Sequence, residues 1–135
     1  MSLSGNYQND KKEGVGLMYN ILAVDDNPAN LTLVRETLRD RYKVNVVTSG
    51  EQALRYVGIK KPDLILLDIC MPGMDGLATL RELNKIEDRT WKVVILTAVA
   101  DREIEIESRG LGAVGFIAKP FVPEEMIKTV EALIG

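Results

Sequence analysis

From Asn20 onward the chain alternates short apolar runs with segments of helical spacing, and five such alternations follow one another. Asn20 to Val24 reads as a buried strand that stops at Asp25-Asp26. Asn27-Pro28 then supplies a helix start, an N-cap followed by proline at the first helical position. Leu31, Val34 and Leu38 carry that helix to about Arg41. Lys43 to Thr48 is β-branched and alternating, a second strand. Ser49-Gly50-Glu51-Gln52 resembles a capping box that opens a second helix, closed by Gly58 and Pro62. Leu64 to Leu67 is the most apolar run and ends at Asp68; the turn Pro72-Gly73-Met74-Asp75-Gly76 and a helix through Leu77, Leu80, Leu83 and Ile86 follow. Val93 to Leu96 is a fourth strand ending at Thr97, and a charged helix runs from Asp101 to about Arg109. Gly115 to Ala118 is a fifth strand ending at Lys119-Pro120, and Pro123-Glu124-Glu125 opens a last helix.

Continuous apolar strands with helical crossovers predict a parallel sheet covered on both faces. Five strands are too few for a closed eight-fold barrel, so the expected fold is an open, doubly wound α/β sheet. Its expected arrangement is (βα)5, flavodoxin-like, with strand order 2-1-3-4-5. Residues 1–18 are polar and read as a flexible tail, leaving 19–135 as one domain.

In such a sheet ligands bind beyond the carboxyl ends of the strands. Strand one ends at Asp25 and Asp26, strand three at Asp68, strand four at Thr97 and strand five at Lys119. With neighbouring strands about 4.8 Å apart, three carboxylates, a hydroxyl and an ammonium converge on one edge with Asp68 central. Carboxylates so close are not comfortably ionised together unless a cation joins them. A hard divalent ion suits oxygen ligands, and Mg2+ typically takes one or two carboxylates plus phosphate oxygens and water. The cluster is suited to hold a phosphoryl group on or near an aspartate.

Composition removes the main competitors. There is no histidine, so Ser-His-Asp hydrolysis, histidine-based zinc sites and a histidine phosphocarrier are excluded. A net charge of −3 argues against direct nucleic-acid binding, which needs basic patches. The single cysteine, Cys70, cannot form an internal disulfide and fits a reducing, cytoplasmic setting. No apolar run is long enough to span a membrane, and the first residues do not read as a signal peptide.

The motifs Val24-Asp25-Asp26-Asn27, Leu67-Asp68-Ile69-Cys70-Met71-Pro72-Gly73-Met74-Asp75-Gly76, Leu96-Thr97-Ala98 and Phe116-Ile117-Ala118-Lys119-Pro120-Phe121 together resemble the receiver domain of two-component response regulators. The resemblance covers about Tyr19 to Gly135. It implies Asp68 as phosphoacceptor and Asp25 and Asp26 as the acidic pair that organises Mg2+, with the main-chain carbonyl of Cys70 completing the protein ligands. It implies Thr97 and Lys119 as the residues that bond the phosphoryl oxygens, Phe116 as the switch aromatic, and a cis bond at Lys119-Pro120. The implied partners are a sensor histidine kinase or a histidine phosphotransfer protein. The implied output is a change in the face of the fourth helix, fifth strand and fifth helix, for partner binding or a homodimer. In the family the positions of Cys70 and Val99 tune how fast the phosphoryl group is lost; a thiol and an isopropyl group orient water poorly, so a long-lived phosphorylated state is expected.

Other motifs fail on context. Gly110-Leu111-Gly112-Ala113-Val114-Gly115 spells a dinucleotide fingerprint, but it follows a helix and opens a strand. Asp25-Asp26 would repel a flavin phosphate. A small aspartyl-phosphate phosphatase of similar fold is the rival reading, although its Asp-x-Asp pattern is interrupted by Cys70. A degenerate receiver that only binds is disfavoured by the full set Asp25, Asp26, Asp68, Thr97 and Lys119. Whether the receiver stands alone or belongs to a longer regulator or hybrid kinase stays open.

Overall fold

In every strand the side chains alternate between two apolar faces, and each face is closed by helices from one side. The computed structural model describes residues 18–98 and 101–135. Its strands are β1 (Asn20–Val24), β2 (Lys43–Val47), β3 (Leu64–Asp68), β4 (Lys92–Thr97) and β5 (Ala113–Ala118). The helices are α1 (Pro28–Leu38), α2 (Gly50–Ile59), α3 (Gly76–Asn84), α4 (Arg102–Gly110) and α5 (Pro123–Ile134). All neighbouring strands are parallel, in the order β2-β1-β3-β4-β5, as the sequence predicts. One core layer joins Ile21, Ala23, Leu64, Leu66, Val94 and Leu96 to Leu31, Val34 and Leu38 of α1 and Met126 and Val130 of α5. The opposite layer joins Leu22, Val24, Ile65, Leu67, Val93 and Ile95 to Ala53 and Val57 of α2 and Leu80 and Leu83 of α3. The central β3 is buried along its whole length, so Asp68 leaves a rigid support. Residues 1–17 of the expected tail lie outside the described residues; Met18 is exposed.

Local chemistry accounts for the helix starts. Asn27 accepts a hydrogen bond from the Ala29 amide, and Asp75 accepts one from Ala78. Ser49 Oγ accepts from the Gln52 amide, but Gln52 Oε1 reaches past the cap to the Thr48 amide and hydroxyl. The reciprocal bond of a capping box is thus displaced by one residue.

Several boundaries differ from expectation; α3, for one, ends at Asn84 and does not reach Ile86. The helix α1 stops at Leu38, its last buried apolar residue, and a turn hydrogen-bonded to the Leu38 carbonyl brings Tyr42 back toward β2. Gly58 does not close α2, which runs through it to Ile59 before Lys60 turns extended. The strand β5 begins at Ala113 rather than Gly115, with a register irregularity opposite Val93 and Val94. Gly112, at φ +98, makes the turn between α4 and β5, so the glycine-rich stretch is a helix end and not a phosphate cradle.

Two glycines give opposite predictions. A Cβ at Gly76 would lie 2.4 Å from the Asp68 carbonyl oxygen and 2.6 Å from Ile69 Cα, both backbone. Gly76→Ala must therefore displace the end of β3, and a loss of about 2 kcal/mol or more is expected from overpacking. A Cβ at Gly58 meets nothing within 4 Å, so Gly58→Ala should gain about 0.5 kcal/mol by restricting the unfolded chain. Denaturant midpoints check both; equal shifts for the two variants would contradict the packing argument.

Candidate functional site

The carboxyl ends of β1, β3, β4 and β5 bring the predicted residues to one edge. Asp25 and Asp68 are buried, at 1% and 2% exposure, whereas Asp26 is exposed. One carboxylate oxygen from each of Asp25, Asp26 and Asp68 lies within 4.8 Å of the others. Lys119 Nζ is 3.1 Å from Asp25 Oδ2 and 3.0 Å from Asp68 Oδ1, so a single ammonium bridges the two buried carboxylates. The Cys70 amide also donates to Asp68 Oδ1, at 3.3 Å. Among the described residues Asp68 Oδ2 receives no hydrogen bond.

The frame behind these groups is local backbone. Asp25 Oδ1 accepts from the Asn27 amide and Oδ2 from Asn30 Nδ2, at 2.9 and 3.1 Å, so the first turn of α1 fixes that carboxylate. Thr97 ends β4 beside Ala118, and its carbonyl accepts from the Lys119 amide at 2.9 Å. The Lys119-Pro120 bond is cis, as the resemblance implied. Phe116 is half-buried on β5 opposite Ile95. Cys70 is exposed beside Asp68, and Val99 lies outside the described residues.

Charge in this cluster is unbalanced. Burial raises the Asp68 carboxyl above its ordinary range and repulsion from Asp25 adds to this, against the pull of Lys119 and the Cys70 amide. Burial works against the Lys119 ammonium, but its bonds to Asp68 and Asp25 outweigh it and hold the proton more tightly than usual. Three carboxylates against one ammonium leave an excess of negative charge, and every donor is a hard oxygen. That donor chemistry fits a small divalent cation.

Asn30 and Gly76 were missed from sequence. An asparagine one turn into a helix after an Asp-Asp pair is the only signal for the first. Gly directly after an N-cap Asp is the signal for the second.

The family model described as a response regulator receiver domain matches residues 21–131. The chain belongs to the response regulator receiver domain family. This receiver domain is 38% identical over 112 residues to the sporulation initiation phosphotransferase F of Bacillus subtilis, covering 82% of this chain and 90% of that protein. It is 34% identical over 115 residues to the alkaline phosphatase synthesis transcriptional regulatory protein PhoP of the same organism, covering 84% of this chain. The chain spans 48% of the length of that regulator. The receiver fold also matches the chemotaxis protein CheY4 of Vibrio cholerae, with TM-score 0.83, 30% identity and coverage of 87% of this chain and all of that one. Receiver domains of two-component systems are phosphoacceptors supplied by sensor kinases or phosphotransfer proteins. No helix among the described residues is long and apolar enough to cross a membrane.

Proposed function

We propose that this receiver domain, residues 19–135, takes a phosphoryl group from a phosphohistidine onto Asp68. The observation that carries the proposal is the Lys119 ammonium bridging Asp25 and Asp68 through Asp68 Oδ1, while Oδ2 receives no hydrogen bond among the described residues. That oxygen is the nucleophile: a P–O bond forms to it as the P–N bond to the donor imidazole breaks, and the imidazole leaves with the bonding pair. Lys119 stays beside Asp68 and compensates charge on the phosphoryl oxygens, the main contribution available in phosphoryl transfer. The Thr97 hydroxyl bonds a phosphoryl oxygen after transfer. Asp25 retains Lys119 as the Asp68 carboxylate is consumed. Asp25, Asp26, Asp68 and the Cys70 carbonyl would hold Mg2+, which supplies further neutralisation of phosphoryl charge. Phe116 then repacks with α4 and α5 to present a changed face to a partner or a second copy. The donor is a sensor histidine kinase or a histidine phosphotransfer protein, met by this domain in the cytoplasm.

Stoichiometry tests this reading. With a small phosphodonor and Mg2+, each chain should gain one phosphoryl group and consume little more donor. Continuous release of phosphate at many turnovers per minute would favour the phosphatase reading instead.

Mg2+ itself should stabilise the fold, since it relieves the excess negative charge. At a concentration 100 times the dissociation constant the gain is about 2.7 kcal/mol. Asp25→Asn with Asp26→Asn should abolish that gain, read as the Mg2+-dependent shift in melting temperature. An unchanged shift would separate the acidic pair from metal binding.

The side chain of Cys70 offers an in-line water a weak partner at best. Cys70→Asn should speed loss of the phosphoryl group by up to about 10²-fold, the effect typical of a positioned polar contact. Timed dephosphorylation checks this, and an unaccelerated variant would remove Cys70 from control of lifetime.

A further inference from the structure

Phe116 has no polar atom on its ring, so only packing or a charge over its face can orient it. The ring packs from β5 against the core layer beneath α4. Over it lies a cation: Arg109 Cζ, in the last turn of α4, is 4.7 Å from the ring centroid. Arg109 Nε is in turn 3.3 Å from Glu105 Oε2, one helical turn earlier. The guanidinium is therefore braced on its own helix while it covers a side chain of the neighbouring strand.

The helix α4 is lightly anchored. Its one buried residue is Ser108, whose hydroxyl has no hydrogen-bond partner among the described residues. Ile106 is 61% exposed. On its other side the links are polar: Arg81 of α3 pairs with Glu107, and Asn84 donates to the Leu111 carbonyl. An element with so little apolar burial shifts at low cost. Arg109 ties α4 to the Phe116 ring, so any shift of α4 would carry the guanidinium away from it.

We propose that Arg109 is a positioning residue for Phe116, a cation–π latch braced by Glu105 that must open before the ring turns on phosphorylation. The coupling to phosphorylation rests on the reading of Asp68 as acceptor; the contact with the ring does not. A lone exposed ion pair would contribute little. A guanidinium over a half-buried ring biases a two-state balance by about two- to five-fold.

The chain has two phenylalanines, Phe116 and Phe121, so uniform labelling with 4-fluorophenylalanine yields two fluorine resonances. Phe121 is buried in the opposite core layer and serves as the internal reference. Unmodified protein is compared as the natural sequence, Arg109→Lys and Arg109→Met. The latch requires Arg109→Met to move the Phe116 resonance and leave Phe121 in place, and Arg109→Lys to stay near the natural position. Added salt should move the natural protein toward Arg109→Met. Phosphorylation by a small phosphodonor should be about two- to five-fold faster in Arg109→Met and unchanged in Arg109→Lys. An unmoved Phe116 resonance, or equal displacement by Lys and Met, overturns the latch. A moved resonance with an unchanged phosphorylation rate overturns its role in switching. If the natural protein takes up no phosphoryl group, the reading of Asp68 fails, and the fluorine comparison still decides the latch.

Discussion

Asp68→Asn is expected to take up no phosphoryl group from a small phosphodonor with Mg2+, against one group per chain for the natural sequence. The amide oxygen of asparagine carries no charge and cannot form a stable acyl phosphate, so the loss should be complete. The fold should survive. Burial already disfavours the Asp68 carboxylate, and Lys119 has a second partner in Asp25, 3.1 Å away, that the substitution does not remove. Intact mass and a melting curve on the same sample separate the two effects. Residual labelling at the natural level would place the acceptor elsewhere.

Lys119→Met should cause the largest loss of stability at the site. The ammonium is the charge partner of two nearly inaccessible carboxylates, and methionine fills its volume without its charge. Breaking a buried pair by removing one partner typically costs about 3–5 kcal/mol, because the remaining charge is left without compensation. Urea unfolding in the presence of a chelator measures it. Mg2+ should recover part of the loss, and adding Asp68→Asn should recover more, with a coupling above about 1 kcal/mol between the two positions. If Lys119→Met is as stable as the natural protein, the ammonium does not hold the carboxylates together, and the electrostatic account of the site is wrong.

The fold was legible because the apolar runs are continuous and each ends at a residue that cannot belong to the core. Leu64 to Leu67 followed by Asp68 marks both a fully buried strand and the point at which it meets solvent. The same logic located Asp25, Thr97 and Lys119, and the parallel order of the strands then brought them together. Their roles came from resemblance, since an Asp at a strand end taken alone is most often a cap or a solvated loop residue. What escaped depends on contacts between elements distant in sequence. Gly76 matters because its Cα approaches the Asp68 and Ile69 backbone, a proximity no local pattern encodes. Asn30 supports Asp25 through side-chain geometry on α1. Arg109 reads locally as a helix-terminal cation that suits the dipole, and only the packing of α4 on β5 reveals the ring beneath it. The end of α1 lies earlier than the sequence suggests because Arg39 and Arg41 favour helix locally, while the return of Tyr42 into the core requires the turn.

One chemical readout identifies the residue that carries the phosphoryl group. Borohydride reduces an aspartyl phosphate to homoserine and leaves free aspartate unchanged, so it writes the site into the sequence. The natural protein is treated with a small phosphodonor and Mg2+, reduced, digested and sequenced by mass spectrometry. Homoserine is expected at position 68 and aspartate at positions 25 and 26. Homoserine at either of the latter positions, or at none, would contradict Asp68 as the acceptor.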